Sequence, residues 1–234
     1  MKRFRRTYYD LFSHVYDRII ALHSGDASAA ARDFLVERTG LGADGRLLDL
    51  CTGTGAVALR AHRTTGTGGL AVGLDFSTGM IREARGKAGQ ASGEGLSFVI
   101  GDAACLPFAD DCFDAVTCSH AMYELDPGVR EATLREAHRV LRPGGRFLMM
   151  EHCEPTRPLI RLLYRLRLRA LGSAGNLAFA RDEVPFIAPV FDSVERELSP
   201  SGRSKLIHGV KGGRPDAAPG SAVGPSVPSQ HPPR

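Results

Sequence analysis

Short apolar runs recur along the chain, and the stretches between them change to helical spacing. The segments 46–50, 70–75, 96–102, 113–119 and 146–151 read as strands, several almost continuously apolar, as strands covered on both faces are. A helix-like stretch follows the turn-rich CTGTG at 51–55, and a second spans 77–88 with Ser77 placed to cap it. A third runs from about Gly128 to Leu141, and the RPGG at 142–145 reads as a helix stop leading directly into the next strand. Strands alternating with helices predict an α/β fold on a doubly wound parallel sheet. Two more strand-like runs, 193–199 and 204–211, are joined by the turn PSGR and predict a terminal antiparallel hairpin. The expected sheet is seven-stranded and mostly parallel, with a hairpin that a plain dinucleotide-binding fold does not require.

Composition adds little for the body of the chain and more for its ends. The 234 residues are 43% hydrophobic and 24% charged, ordinary for a globular chain with one sizeable core, which excludes a wholly disordered or fibrous protein. No stretch approaches the run of about 18 apolar residues that a membrane-spanning helix needs. The basic start MKRFRRTYYD is not followed by an apolar core or a small-residue cleavage site, so no secretory signal is expected. Five cysteines (Cys51, Cys105, Cys112, Cys118 and Cys153) without C-x-x-C spacing point to reduced thiols and a cytoplasmic location rather than a disulfide framework or a zinc site.

The net charge of +4 conceals an asymmetry. Lys2, Arg3, Arg5 and Arg6 open the chain, Arg157, Arg161, Arg165, Arg167 and Arg169 follow one another at 157–171, and neither segment contains an acid. Without these two segments the balance is 21 basic against 26 acidic residues, a mildly acidic body carrying two basic patches suited to a local anionic surface or substrate. The last 23 residues hold six prolines and four glycines and are expected to be disordered. The expected organisation is an amphipathic cap at 1–24, a main domain at 25–211 with a lid or acceptor-binding insertion at 157–190, and a tail at 212–234.

The stretch LLDLCTGTG carries the most chemistry. A strand, a glycine-rich turn and a helix bring backbone N–H groups close to a ligand. Gly53-x-Gly55-x-x-Ala58 taken alone also fits a dinucleotide fingerprint. Asp49 at the end of the first strand tilts the choice, because a carboxylate repels pyrophosphate and welcomes an ammonium or sulfonium. Asp75 closes the second strand, where a carboxylate can accept both ribose hydroxyls, and Asp102 closes the third beside the small Ala103. Three acids at successive strand ends describe a nucleoside bearing positive charge.

At these residues the chain resembles the class I S-adenosylmethionine-dependent methyltransferases, in particular the branch containing the ubiquinone/menaquinone-biosynthesis C-methyltransferases (the methyltransferase type 11 domain). The resemblance rests on LLDLCTGTG, VGLDFS, GDAACLPF, FDAVTCSHAMYEL and HRVLRPGGRF and covers roughly Tyr16 to Lys211. It implies the Rossmann-like methyltransferase fold and S-adenosyl-L-methionine as cofactor. Asp49, Thr54 and the backbone of Cys51, Gly53 and Gly55 would receive the methionine portion, with Cys51 where many members place the first glycine. Asp75, followed by Phe76, would hold the ribose, Asp102 and Ala103 would flank adenine, and Ser119 would add a further contact. Tyr16-Asp17 match an N-terminal pair that closes over the cofactor in that family. After the fourth strand the quinone branch places an Arg-Asn pair, whereas this chain reads His120-Ala-Met-Tyr123-Glu124, which leaves the acceptor open between a quinone-type ring and a phospholipid amine.

Methyl transfer from a sulfonium is an in-line displacement with an activated donor, so alignment and desolvation supply much of the acceleration. Candidates to face the methyl group are His120 and Tyr123 after the fourth strand and Glu151 and His152 after the fifth; His120 could act as a base. His152 and Cys153 lack a third ligand, so no metal is expected. Arg157, Arg161, Arg165 and Arg169 fall along one helix face, with Leu159, Ile160, Leu162, Leu163 and Leu166 on the other. That pattern fits a lid with its apolar side on the core, or an amphipathic helix lying against an anionic membrane. The rival readings are a nicotinamide-dependent oxidoreductase, for which no Tyr-x-x-x-Lys is found, and a non-catalytic scaffold that only holds cofactor. A basic stripe with interleaved aromatics is lacking, so nucleic acid is not an expected partner.

Overall fold

The computed structural model describes Asp10 and residues 30–66, 68–89, 95–154, 158–159, 161–163, 166 and 174–213. Tyr16, Asp17, most of the 1–24 cap, Arg157, Arg165 and Arg169 of the basic segment, and the tail from 214 lie outside the described residues. In chain order the elements are α1 (Ala30–Thr39), β1 (Arg46–Leu50), α2 (Ala56–Thr65), β2 (Leu70–Asp75), α3 (Thr78–Ala88), β3 (Leu96–Ile100) and β4 (Phe113–Ser119). A 3-10 turn (Met122–Glu124), α4 (Pro127–Val140), β5 (Leu141–His152), α5 (Ala174–Arg181), the short α6 (Val184–Ile187), β6 (Ser193–Leu198) and β7 (Ser204–Val210) follow.

The strands form one seven-stranded sheet in the order β3-β2-β1-β4-β5-β7-β6. Only β7 runs against its neighbours, so the sheet is mostly parallel and the terminal hairpin is present as expected. The inner strands β1 and β2 are buried almost throughout, whereas the edge strand β3 mixes buried and open positions and the edge strand β6 has no buried residue. One core packs Leu47, Ala71, Ala115, Leu148, Met150 and Leu206 of the sheet against α1, α2 and α3. The other packs Leu48, Leu50, Cys118, Phe147, Met149 and Ile207 against α4, α5 and α6. Helices on both faces and a reversal of strand order between β1 and β4 create a crevice at the carboxyl ends of the strands.

The sequence reading of RPGG needs correction. The α4 helix stops at Val140, and Leu141 already pairs with Phe113 in the ladder. The next registered pair is Ala115 with Arg146, so residues 142–145 form a bulge within β5 rather than a loop before it. Gly144 takes φ 79° there, and its N–H and the Gly145 carbonyl bond the Lys211 backbone at 2.7 and 3.0 Å. The bulge thus ties β5 to the chain just beyond β7.

Two glycines near the loop serve one phenyl ring. A Cβ on Gly73 would stand 2.7 Å from Phe98 Cδ1 and 2.8 Å from Thr52 Oγ1, and one on Gly55 would stand 2.7 Å from Phe98 Cε1. Gly73→Ala should therefore cost about 1–3 kcal/mol by overpacking, read as a lowered urea midpoint. Shrinking the ring with Phe98→Leu in the same chain should return part of that loss; a neutral Gly73→Ala would show the ring is not wedged.

Candidate active site

The pleat sorts the polar residues at the crevice onto opposite faces of the sheet. Asp49, Asp75, Thr117 and Ser119 fall in phase with Leu47, Ala71 and Ala115, on the face covered by α1, α2 and α3. His152 and Ser204 are paired across β5 and β7 in phase with Met150 and Leu206, and belong to the same face. Glu151 and Lys205, one residue away in each strand, are paired with each other on the opposite face.

On the first face Asp49 is buried and accepts hydrogen bonds from Thr52 Oγ1 at 2.6 Å and Thr117 Oγ1 at 2.8 Å. Burial outweighs those bonds and raises its carboxyl to about 7. Asp75 accepts from the Gly53 and Ser77 N–H groups, each at 2.9 Å, and burial raises its pKa also. One carboxylate thereby fixes the glycine loop and the start of α3. Ser77 caps α3 as expected, its oxygen accepting from Met80 N at 3.2 Å. Asp10 reaches the same helix start, accepting from Ser77 Oγ at 2.6 Å and Gly79 N at 2.8 Å.

The loop itself has left-handed backbone at Cys51 (φ 52°), Gly53 (φ 55°) and Gly55 (φ 81°). Cys51 occupies a backbone conformation that glycine adopts without strain. Thr54 is buried, Phe76 is half-buried, and Asp102 is exposed, its Oδ1 accepting from Ala104 N at 3.0 Å beside the buried Ala103.

The residues expected to face the methyl group separate. His120 (φ 54°) is held by its N–H on the Met150 carbonyl at 2.7 Å, and its ring stacks on His152 with centroids 4.0 Å apart. His120 Nδ1 lies 3.0 Å from Ser119 Oγ, and Nε2 lies 3.4 Å from Ser204 Oγ. Burial first, then the neighbouring His152, push its pKa well below the usual histidine value, so the imidazole is neutral at pH 7. Tyr123 packs into the core on the α4 side, its hydroxyl donating to Glu124 Oε1 at 3.1 Å. Glu151 is buried and accepts from Met122 N at 2.9 Å, while its Oε2 has no hydrogen-bond partner; burial holds it well above the usual carboxylate range.

Around Glu151 the second face carries a buried polar pillar that sequence reasoning missed. Arg130 donates to the Met122 carbonyl (3.0 Å), the Leu125 carbonyl (2.9 Å) and Asn176 Oδ1 (2.8 Å), with its guanidinium 3.9 Å above the Phe179 ring. Burial lowers Arg130 to about 10, which leaves it charged at pH 7. Lys205 Nζ donates to the Ala180 carbonyl at 2.7 Å and lies 2.6 Å from Glu183 Oε1. No local signal marks these residues, since each looks like a solvated helix or strand charge until the chain folds.

In the basic segment the described residues Pro158, Leu159, Arg161, Leu162, Leu163 and Leu166 are helical. Leu159, Leu162, Leu163 and Leu166 are 69%, 54%, 58% and 49% exposed, so the lid with its apolar side on the core is not what the structure shows. No helix among the described residues is long and apolar enough to cross a membrane.

Comparison with known proteins agrees with this geometry. The sequence model of the ubiE/COQ5 methyltransferase family matches residues 4–192. A ubiquinone/menaquinone biosynthesis C-methyltransferase UbiE of Desulfotalea psychrophila is 32% identical over 179 residues, 74% of this chain and 70% of that protein. A demethylmenaquinone methyltransferase of Staphylococcus epidermidis is 31% identical over 177 residues, 76% of this chain and 72% of that protein. Among solved structures, a methyltransferase of Haloferax volcanii in complex with the Trm112 methyltransferase activator superposes with a TM-score of 0.66 at 21% identity. It covers 87% of this chain and 97% of that one, a likeness of fold.

Proposed function

Because the chain belongs to the ubiE/COQ5 methyltransferase family and uses S-adenosylmethionine, we propose that it methylates a ring carbon of a quinone-type lipid at an anionic membrane surface. The cofactor supplies a methyl group already activated on a sulfonium; the chain's residues bind, orient and dry the site. Asp49 fits the methionine ammonium: its carboxyl is buried, bonded only to neutral hydroxyls, and held near 7 until a cation arrives. Asp75 takes the ribose diol, with Phe76 alongside; Asp102 and Ala103 border adenine. The N–H groups of the 51–55 loop, with Thr54, and Ser119 complete the cradle. Asp10, bonded to the start of α3 next to Asp75, steadies that helix start beside the ribose.

At the acceptor end His120 serves as a neutral imidazole, a hydrogen-bond acceptor for a ring hydroxyl, with His152 stacked on it and Ser204 beside it. Its depressed pKa makes it a weak base, so orientation of the acceptor is its main contribution. Tyr123 and Glu151 act from behind, holding the Met122–Glu124 turn that borders the pocket.

The observation that carries the lipid reading is the run of open leucines at 159, 162, 163 and 166 in a segment with five arginines and no acid. Apolar side chains at i, i+3, i+4 and i+7 with cations alongside are what an interfacial helix presents to an anionic bilayer. The quinone is favoured over a phospholipid amine by the names of the relatives, and the location follows: cytoplasmic, peripheral at the inner membrane surface.

The test is transfer of labelled methyl to demethylmenaquinone carried in phosphatidylglycerol or phosphatidylcholine vesicles, with phosphatidylethanolamine vesicles as a second acceptor. We expect quinone methylation and co-sedimentation with the anionic vesicles at low salt, both weakened by salt. Label in the amine lipid instead would replace the acceptor, and quinone methylation without sedimentation would remove the membrane contact.

A further inference from the structure

The residues gathered around the cofactor leave one of its charges unanswered. The methionine portion is a zwitterion, yet the strand-end side chains assigned above to the cofactor include three carboxylic acids, Asp49, Asp75 and Asp102, and no cation. A site built that way attracts an ammonium and repels the carboxylate beside it.

The first turn of α1 brings a cation to this place. Arg60 of α2 donates through Nε to Asp33 Oδ1 at 2.6 Å and through Nη1 to the Ala56 carbonyl at 3.0 Å. These two bonds tie the first turn of α1 to the first turn of α2, which begins immediately after the glycine loop. Arg32, the residue before Asp33, lies in that same first turn of α1, the helix packed on the sheet face that holds Asp49 and His152. It is half-buried, and among the described residues its guanidinium makes no hydrogen bond or ion pair. Its charge nevertheless acts on both Asp49 and His120, favouring the ionised carboxylate and opposing protonation of the imidazole. A half-buried guanidinium whose charge reaches both Asp49 and His120, with its planar donor fork unspent, suits a carboxylate.

We propose that Arg32 binds the α-carboxylate of the cofactor's methionine portion, opposite Asp49, so that the pair recognises the amino-acid zwitterion. This deepens the reading of the preceding section and rests on its placement of the methionine end at the 51–55 loop. Arg32 is then the residue that separates the cofactor from its decarboxylated relatives, and Asp33 and Arg60 are the positioning pair that sets α1 against the loop.

The test is calorimetric titration of the full chain with S-adenosylhomocysteine and with its decarboxylated analogue, which keeps adenosine, sulfur and amine. The wild-type protein should bind the homocysteine form about ten- to a hundredfold more tightly, the worth of a charge-assisted contact. Arg32→Gln should remove that preference by weakening S-adenosylhomocysteine alone, and Arg32→Lys should keep part of it. Equal loss on both ligands, or no loss, in Arg32→Gln would overturn the proposal, as would a wild-type protein that does not discriminate. A wild-type protein that binds neither ligand would bring down the placement of the cofactor itself, a failure visible before any variant is made.

Discussion

Replacing Asp75 with alanine should lower the affinity for S-adenosylhomocysteine at least about a hundredfold, since two charge-assisted hydrogen bonds to the ribose diol are each worth about 1.5–3 kcal/mol. The loss has a second source in the same carboxylate. Asp75 also holds the Gly53 and Ser77 N–H groups, so its removal frees the glycine loop from the start of α3. Asp75→Asn should separate the two, because the amide can still accept one of these bonds. Calorimetry with NADH as a control reads the result, and unchanged nucleoside affinity in Asp75→Ala would remove the ribose from this position.

The same titrations carry a pH signature. Burial raises Asp49 to about 7 in the free protein, and an ammonium placed beside it favours ionisation, so binding expels a proton. Affinity should accordingly rise as pH increases toward 7, by up to about tenfold per unit, and level off above it. Asp49→Asn should flatten that slope. An affinity that falls over the same range would reverse the sign and separate Asp49 from the ammonium.

The largest stability effect should come from the opposite face. Lys205→Met leaves Glu183 fully buried without its cation, which costs about 3–5 kcal/mol in comparable buried pairs. Burial already raises the Glu183 pKa against the pull of Lys205, and the variant lets it rise further. A folded-state pKa above the unfolded one means that the folded protein holds the proton more tightly, so the variant loses stability as pH rises and recovers it as pH falls. Urea unfolding at pH 5 and pH 7.5 should therefore show a smaller deficit at the lower pH. Adding Glu183→Gln should recover most of the loss. A deficit below about 1 kcal/mol at both pH values would show that the pair is not holding α5 and α6 to the sheet.

How far the chain could be read differs by element. The strands β1 and β2 and the glycine loop announce themselves because period, turn residues and caps are local properties, and Ser77 is a helix cap in the sequence as in the fold. The acids Asp49, Asp75 and Asp102 were legible because parallel strands bring their carboxyl ends to one edge whatever the helices do. Arg32, Arg130, Asn176, Glu183 and Lys205 were not. Their roles depend on which helix turn lies over which strand, a relation between residues far apart in sequence; Arg130 and Asn176 are 46 residues apart, and Arg60 reaches Asp33 across 27.

Glu151 and His152 show the division most sharply. As neighbours in the chain they read as one candidate pair at the end of the fifth strand. The pleat sends them to opposite faces, one to the Arg130 side and one onto the His120 ring. By itself the sequence determined the cofactor class and the order of the carboxylates along the strand ends, since these follow from residue type and local period. Tertiary structure alone decided which of the remaining charges stand at the crevice and which are buried as supports. Pleat phase and helix docking set the surroundings of a side chain, and those surroundings fix whether its charge is solvated, paired or held neutral.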